Sequence, residues 1–280
     1  MNDPAFPSPL LLPGSGGWPL LLSVAHAGRE YPAALVALAR GGRAALEGLA
    51  DPLVDQLVWR ARDLGHGAVI ARTPRAAVDC NRGEDELDPR AVEGVGPAGG
   101  PRASHGLGLV PSRLGGAALW RRAIRRDELE QRLDAAYRPF HAAIAGQLAA
   151  VRATHGAALL IDCHSMPAQP GGRPQLVIGD RQGTSAAPEL ARLALDIGRR
   201  RGFSTAHNDP FAGGEIVRRH GRPIEGVHAI QVEIDRACYL TRDGRRPGPG
   251  FDRVAMLFEA LAEGLGRWTA ASAGLAEAAE

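Results

Sequence analysis

The sequence predicts an α/β fold organised on a sheet whose central strands are covered on both faces. Short apolar runs at residues 19–25 and 157–161 end abruptly in polar residues, the pattern of strands sandwiched between helices. Segments of helical period lie between such runs. With 280 residues and 45% hydrophobic content the chain can bury one large core. We expect a single domain over residues 18–270, an irregular lead-in over 1–17 and a frayed tail over 271–280.

Charge and cysteine usage exclude several functions. The net charge of +2 comes from 33 basic residues, all arginine, against 31 acidic ones. They are interspersed, so there is no basic stripe of the kind nucleic acid requires. The absence of lysine reads as base-composition bias. No apolar run reaches membrane-spanning length, and Asp3 with prolines 4, 7, 9 and 13 argues against a signal peptide around Leu10. Cys80, Cys163 and Cys238 show no CxxC spacing, which fits a reduced, cytoplasmic protein.

In chain order, residues 19–25 form a first strand that ends at His26, with Gly28 and Glu30 following. An imidazole there can bind a metal or cap a turn. Residues 33–41 suit a short helix. Asp51-Pro52 reads as a helix N-cap with proline at the first helical position, and Leu53, Leu57 and Ala61 share one face. Asp55 would lie on the side of Asp51. A second strand at 68–71 leads into a segment dense in arginine, where Arg75 and Arg82 could grip an anionic substrate or simply be solvated. Residues 83–117, rich in glycine and proline, are expected to form a long loop: a lid, a substrate-binding excursion or disorder. A helix is expected over 118–138, broken or kinked by Pro139, and resuming over 140–154.

The run 157–161 passes into Asp162-Cys163-His164. Residues two apart on a strand share a face, so Asp162 and His164 point the same way, and the carboxylate can fix the imidazole tautomer. A strand at 175–179, a turn at 180–185 and a helix at 188–201 follow, then the loop Asn208 to Glu215 with paired Gly213 and Gly214. In the strand 226–236, Glu233 shares a face with Val227, Ala229 and Gln231. A carboxylate there is costly unless paired or working, so Glu233 is the best candidate general acid/base, its alternative being a salt bridge to Arg236 or another arginine. An amphipathic helix over 251–268 closes the chain.

These segments together resemble the N-formylglutamate amidohydrolase family. The matches run in order: Ser23-Val-Ala-His-Ala-Gly28 with Tyr31-Pro32; Asp51-Pro-Leu-Val-Asp55; Pro74-Arg75; Val78-Asp-Cys-Asn-Arg82; Tyr137-Arg-Pro-Phe-His141; Asp162-Cys-His-Ser165; Gly179-Asp180 with Gly183-Thr184; Asn208 to Gly214; Gly221-Arg-Pro223; and Gly226 to Arg236. The family is in turn similar to zinc carboxypeptidases and aspartoacylase, which share an order of histidine, Asn-Arg, second histidine and glutamate. Here those are His26, Asn81-Arg82, His164 and Glu233.

The resemblance implies a three-layer αβα fold around a mixed, mostly parallel sheet of about eight strands, like that of the zinc carboxypeptidases. It implies one zinc ion, another divalent metal being the alternative, held by His26, Asp51 and His164. The carboxypeptidase pattern departs here, since Arg29 occupies the place of its glutamate ligand; Glu30 is then the alternative to Asp51. The implied reaction is hydrolysis of N-formyl-L-glutamate to formate and glutamate. Glu233 would be the proton carrier, and Arg82 with Asn81 the carboxylate clamp. Arg75 would serve the oxyanion or a second carboxylate, and Gly213-Gly214 would lie in the substrate-binding segment. The partner would be a small acidic N-acyl amino acid, without nucleic acid or membrane, and the sequence sets no oligomeric state. Rival readings are a zinc hydrolase of another N-acyl amino acid or short acidic peptide, and a non-catalytic protein that grips an acidic metabolite.

Overall fold

The computed structural model describes residues 6–15, 17–168 and 174–277. Among them the chain forms, in order, β1 (Leu10–Leu12), β2 (Leu20–Val24), α1 (Ala33–Leu38), α2 (Gly42–Glu47), α3 (Val54–Leu57), α4 (Trp59–Asp63) and β3 (Gly67–Ile70). Then come α5 (Pro101–Ser104), β4 (Arg113–Leu114), β5 (Ala117–Ala118), α6 (Arg126–Arg132), α7 (Arg138–His155), β6 (Ala158–Met166) and β7 (Leu176–Gly179). The series ends with α8 (Pro188–Arg200), β8 (Thr205–His207), α9 (Glu215–His220), β9 (Val227–Asp235) and α10 (Phe251–Glu277). These residues fall into two compact units, where the sequence suggested one domain.

One unit comprises Leu11–Val24, Asp51–Val69 and the described chain from Ile144 onward. It carries a mixed sheet of seven strands in the order β1-β3-β2-β6-β9-β7-β8. Strands β2, β6 and β9 run parallel, β7 is antiparallel to β9, and β8 is parallel to β7. Seven strands stand where about eight were expected. The lead-in is not wholly irregular, because Leu10–Leu12 joins the sheet at its edge; residues 1–5 and 16 lie outside the described residues.

Every residue of β2, β6 and β9 is buried. Both longer strands continue through their polar residues, so Asp162, His164 and Glu233 lie within strands rather than beyond them. Side-chain alternation sorts the two faces. The His228 ring lies 6.1 Å from Trp268 of α10, whereas Gln231 accepts a hydrogen bond from the backbone of Gly214 at the start of α9. Helices therefore cover both faces. Parallel register sets Asp162 beside Gln231 and His164 beside Glu233, so the polar residues share the α9 face and the apolar Ile161, Ile230 and Val232 share that of α10.

The closing helix buries Val254, Leu257, Phe258, Leu261 and Leu265 at three- and four-residue spacing, as its amphipathic pattern predicted. Burying each such side chain contributes ~1.5–3 kcal/mol. The helix continues through Glu277, so residues 271–277 are not a frayed tail, and residues 278–280 lie outside the described residues.

The other unit comprises Ala25–Ala50, Ile70–Ala143 and the described residues up to Leu10. The helix expected from residue 118 begins only at Arg126, after the two-stranded β4–β5 hairpin. Pro139 does not break the helical path. A π-helical turn, Leu133–Tyr137, precedes α7, so Pro139 falls in the first turn of a new helix, where its missing N–H costs nothing. The loop 83–117 is tied down. Asp79 N donates to Leu109 O at 2.7 Å, Arg82 Nε to Leu107 O at 2.7 Å, and Val92, Leu109 and Val110 are buried.

Candidate active site

On the sheet, two carboxylates address one imidazole. His164 Nε2 lies 2.7 Å from Asp162 Oδ2, and the Ser23 hydroxyl donates to Asp162 Oδ1 at 2.7 Å. His164 Nδ1 lies 3.1 Å from Asp51 Oδ2, which also accepts from the Ser165 backbone N–H at 3.1 Å. All four side chains are buried. Burial opposes charge on His164, yet the carboxylates of Asp162, Asp51 and Glu233 outweigh it and push its pKa well above the ordinary range. These carboxylates thus favour positive charge on the imidazole.

Asp51 is not the helix cap that its sequence context suggested. Leu53 adopts a left-handed conformation at φ 61°, α3 starts only at Val54, and no side chain caps it. The Asp51 carboxylate turns to His164 and Ser165, and Asp55 does not share a helical face with it because Asp51 precedes the helix.

Glu233 is 9% exposed, and its Oε1 accepts from Gln231 Nε2 at 2.9 Å. Gln231 Oε1 in turn accepts from Gly214 N at 2.9 Å, which ties the paired-glycine segment to the proposed acid/base. Gly213 has φ 116°, and a Cβ there would sit 2.6 Å from Val217 Cγ2, so both backbone and space require glycine. The Arg236 guanidinium reaches Asp51, its Nη2 lying 2.9 Å from Asp51 Oδ1.

In the other unit a single carboxylate organises the candidates. Asp79, fully buried, accepts from or faces His26 Nε2 at 2.7 Å, the Asn81 backbone N–H at 2.8 Å and Arg75 Nε at 2.8 Å. Arg82 Nε is 3.8 Å away. Burial would raise its pKa, but Arg75, His26 and Arg82 hold it well below the usual carboxylate range. Arg82 is itself buried and donates to Leu107 O and Asn81 O, each at 2.7 Å. Asn81 is buried too, whereas Arg75 is partly open.

Among the described residues, His26, Asp51 and His164 form a buried group that could hold a metal ion, each offering one ligand atom within 4.8 Å of the others. Glu30 stands apart, its side chain 51% exposed and paired with Arg72 at 2.6 Å. Sequence reasoning singled out His26, His164, Asp51 and Glu233 but assigned no role to Asp79, Gln231 or Ser165. A signal was present for Gln231, two residues before Glu233, the spacing that puts strand neighbours on one face; Asp79 lies outside any strand and had no such signal. The cysteines are free, Cys80 and Cys163 buried and Cys238 partly so. No helix among the described residues is long and apolar enough to cross a membrane.

Residues 18–240 match the family model of N-formylglutamate amidohydrolase. The chain is 32% identical to an N-formylglutamate deformylase of Pseudomonas putida over 238 residues, covering 80% of this chain and 83% of that protein. An N-formylglutamate deformylase of Pseudomonas aeruginosa is also 32% identical, over 235 residues and the same shares. The crystal structure of N-formylglutamate amidohydrolase from Ralstonia eutropha JMP134 superposes with a TM-score of 0.83 at 30% identity, over 94% of this chain and 99% of that one.

Proposed function

This chain belongs to the N-formylglutamate amidohydrolase family and is an amide hydrolase, and we propose that it converts N-formyl-L-glutamate and water to formate and L-glutamate with the aid of one divalent metal ion, zinc. The observation that carries the metal reading is the donor set, two buried imidazoles and one buried carboxylate. That is the composition of catalytic zinc sites, which keep one position open. Each imidazole has a buried carboxylate on Nε2, which favours the tautomer whose Nδ1 would ligate. When bound, zinc would supply Lewis acidity to the formyl carbonyl and to water.

The chain's own residues divide the remaining work. Glu233 would take a proton from the attacking water and return it to the departing amine. Its Oε1 accepts from Gln231 Nε2 at 2.9 Å, which orients the carboxylate. Arg82 and Asn81 would hold a substrate carboxylate. Two Arg82 nitrogens donate to carbonyls, so Nη2 is the one this role would use. Arg75 would stabilise the tetrahedral oxyanion or a second carboxylate, and Gly213-Gly214 would line the substrate.

Metal analysis of the purified protein, with formate release measured on N-formylglutamate, N-formylaspartate and N-acetylglutamate, tests the proposal. One metal per chain and fastest turnover of N-formylglutamate are expected. Preference for an acetylated substrate, or no formate at all, would refute it.

A further inference from the structure

The third ligand comes from a short turn rather than from the sheet, and something must hold its carboxylate in one orientation. The chain just beyond Glu233 does this. After β9 it forms a 3-10 turn, Arg236–Cys238, started by Asp235, whose side chain accepts from Ala237 N. From that turn Arg236 Nη2 donates to Asp51 Oδ1 at 2.9 Å, and Arg236 Nε donates to Ser165 Oγ at 3.1 Å. One residue past the turn, the Tyr239 hydroxyl donates to Pro52 O at 2.7 Å. The Asp51–Leu53 turn is thus gripped twice, on the side chain of Asp51 and on the next carbonyl. It contains a non-glycine residue with φ 61°, a conformation that persists only where its surroundings impose it.

Resting on the metal reading above, we propose that Arg236 is a positioning residue that occupies Asp51 Oδ1, so that the carboxylate presents Oδ2 alone to the metal. The geometry is two-pointed. The guanidinium spans Asp51 and Ser165 with two nitrogens of one rigid plane, which a lysine ammonium cannot reproduce. Ser165 also donates its backbone N–H to Oδ2, so the two carboxylate oxygens are set by different donors. The sheet thereby fixes His164 directly and Asp51 through Arg236, and the segment bearing Glu233 carries the brace.

The experiment loads wild type, Arg236→Gln and Arg236→Lys with cobalt(II) in place of zinc, records visible spectra, and measures metal affinity by competition with a chelator. We expect both variants to bind metal about 10–100-fold more weakly, as when an outer-shell partner is lost. Arg236→Gln should also lose visible-band intensity, as the released Oδ1 raises the coordination number. Arg236→Lys keeps the charge, so its loss separates positioning from electrostatics. It also decides the matter should the glutamine variant not fold. Variants with wild-type affinity and spectrum would overturn the proposal. A wild-type protein that takes up no metal would overturn the metal reading instead.

Discussion

Asp79→Asn is the substitution whose effect the structure allows to be worked out most fully. The amide has the shape of the carboxylate, and its Oδ1 can still face His26 Nε2 and accept from Asn81 N. The group replacing Oδ2 is an NH2, which would point donors at Arg75 Nε, 2.8 Å away, and at Arg82 Nε, 3.8 Å away. Flipping the amide relieves the arginines only by setting a donor against His26 and Asn81. Either way a buried pairing is lost, with the Arg75 and Arg82 side chains only 16% and 9% exposed. Removing one partner of a buried ion pair costs about 3–5 kcal/mol. At about 2–4 °C per kcal/mol for a chain of this order, Tm should fall by roughly 6–20 °C. Urea unfolding at neutral pH measures the loss, and a metal titration should show affinity reduced about 10–100-fold, because His26 loses its carboxylate partner. A loss below ~1 kcal/mol with unchanged metal affinity would refute the view that Asp79 organises this cluster.

Glu233→Gln should retain metal and lose roughly 10²–10⁴-fold in kcat, the span for a lost general base; normal turnover would remove Glu233 from the mechanism. Arg82→Lys should raise KM for N-formylglutamate and also lower Tm, since the guanidinium binds two backbone carbonyls; unchanged kinetics would exclude it as the carboxylate clamp. His66 is buried, and neither ring nitrogen has a hydrogen-bond partner among the described residues. Burial, with Arg62 nearby, lowers its pKa to about 4. Below pH ~6.5 the unfolded chain therefore takes up a proton that the fold refuses, and by pH 5 stability falls by ~2 kcal/mol. His66→Leu should abolish that part of the acid sensitivity in urea midpoints compared at pH 7.5 and 5; an equal decline in both proteins would contradict it.

The central strands were legible because burial on both faces leaves an apolar run with few alternatives, and the alternation that puts Gln231 and Glu233 together follows from strand geometry alone. The pairing of Asp162 with His164 was legible from the same alternation. The role of Asp51 was only half readable. Aspartate before proline has the composition of a helix cap, and nothing local reveals that Leu53 will turn left-handed and free the carboxylate for His164. The contact of Arg236 with Asp51 was not legible, because the two lie 185 residues apart in sequence. The hairpin β4–β5 and the π-helical turn before Pro139 were missed because such short features depend on tertiary contacts rather than on any repeating pattern.

His164 and Glu233 face each other across adjacent parallel strands as direct register partners. The interval between these two residues, the proposed ligand and the proposed proton carrier, is therefore dictated by main-chain spacing, ~4.8 Å, and not by how neighbouring side chains happen to fill space. Loops such as Asn208 to Gly214 can then change length and composition while His164 and Glu233 keep their separation. On the proposed roles, substrate preference and bond-breaking machinery would be mechanically uncoupled in such a scaffold.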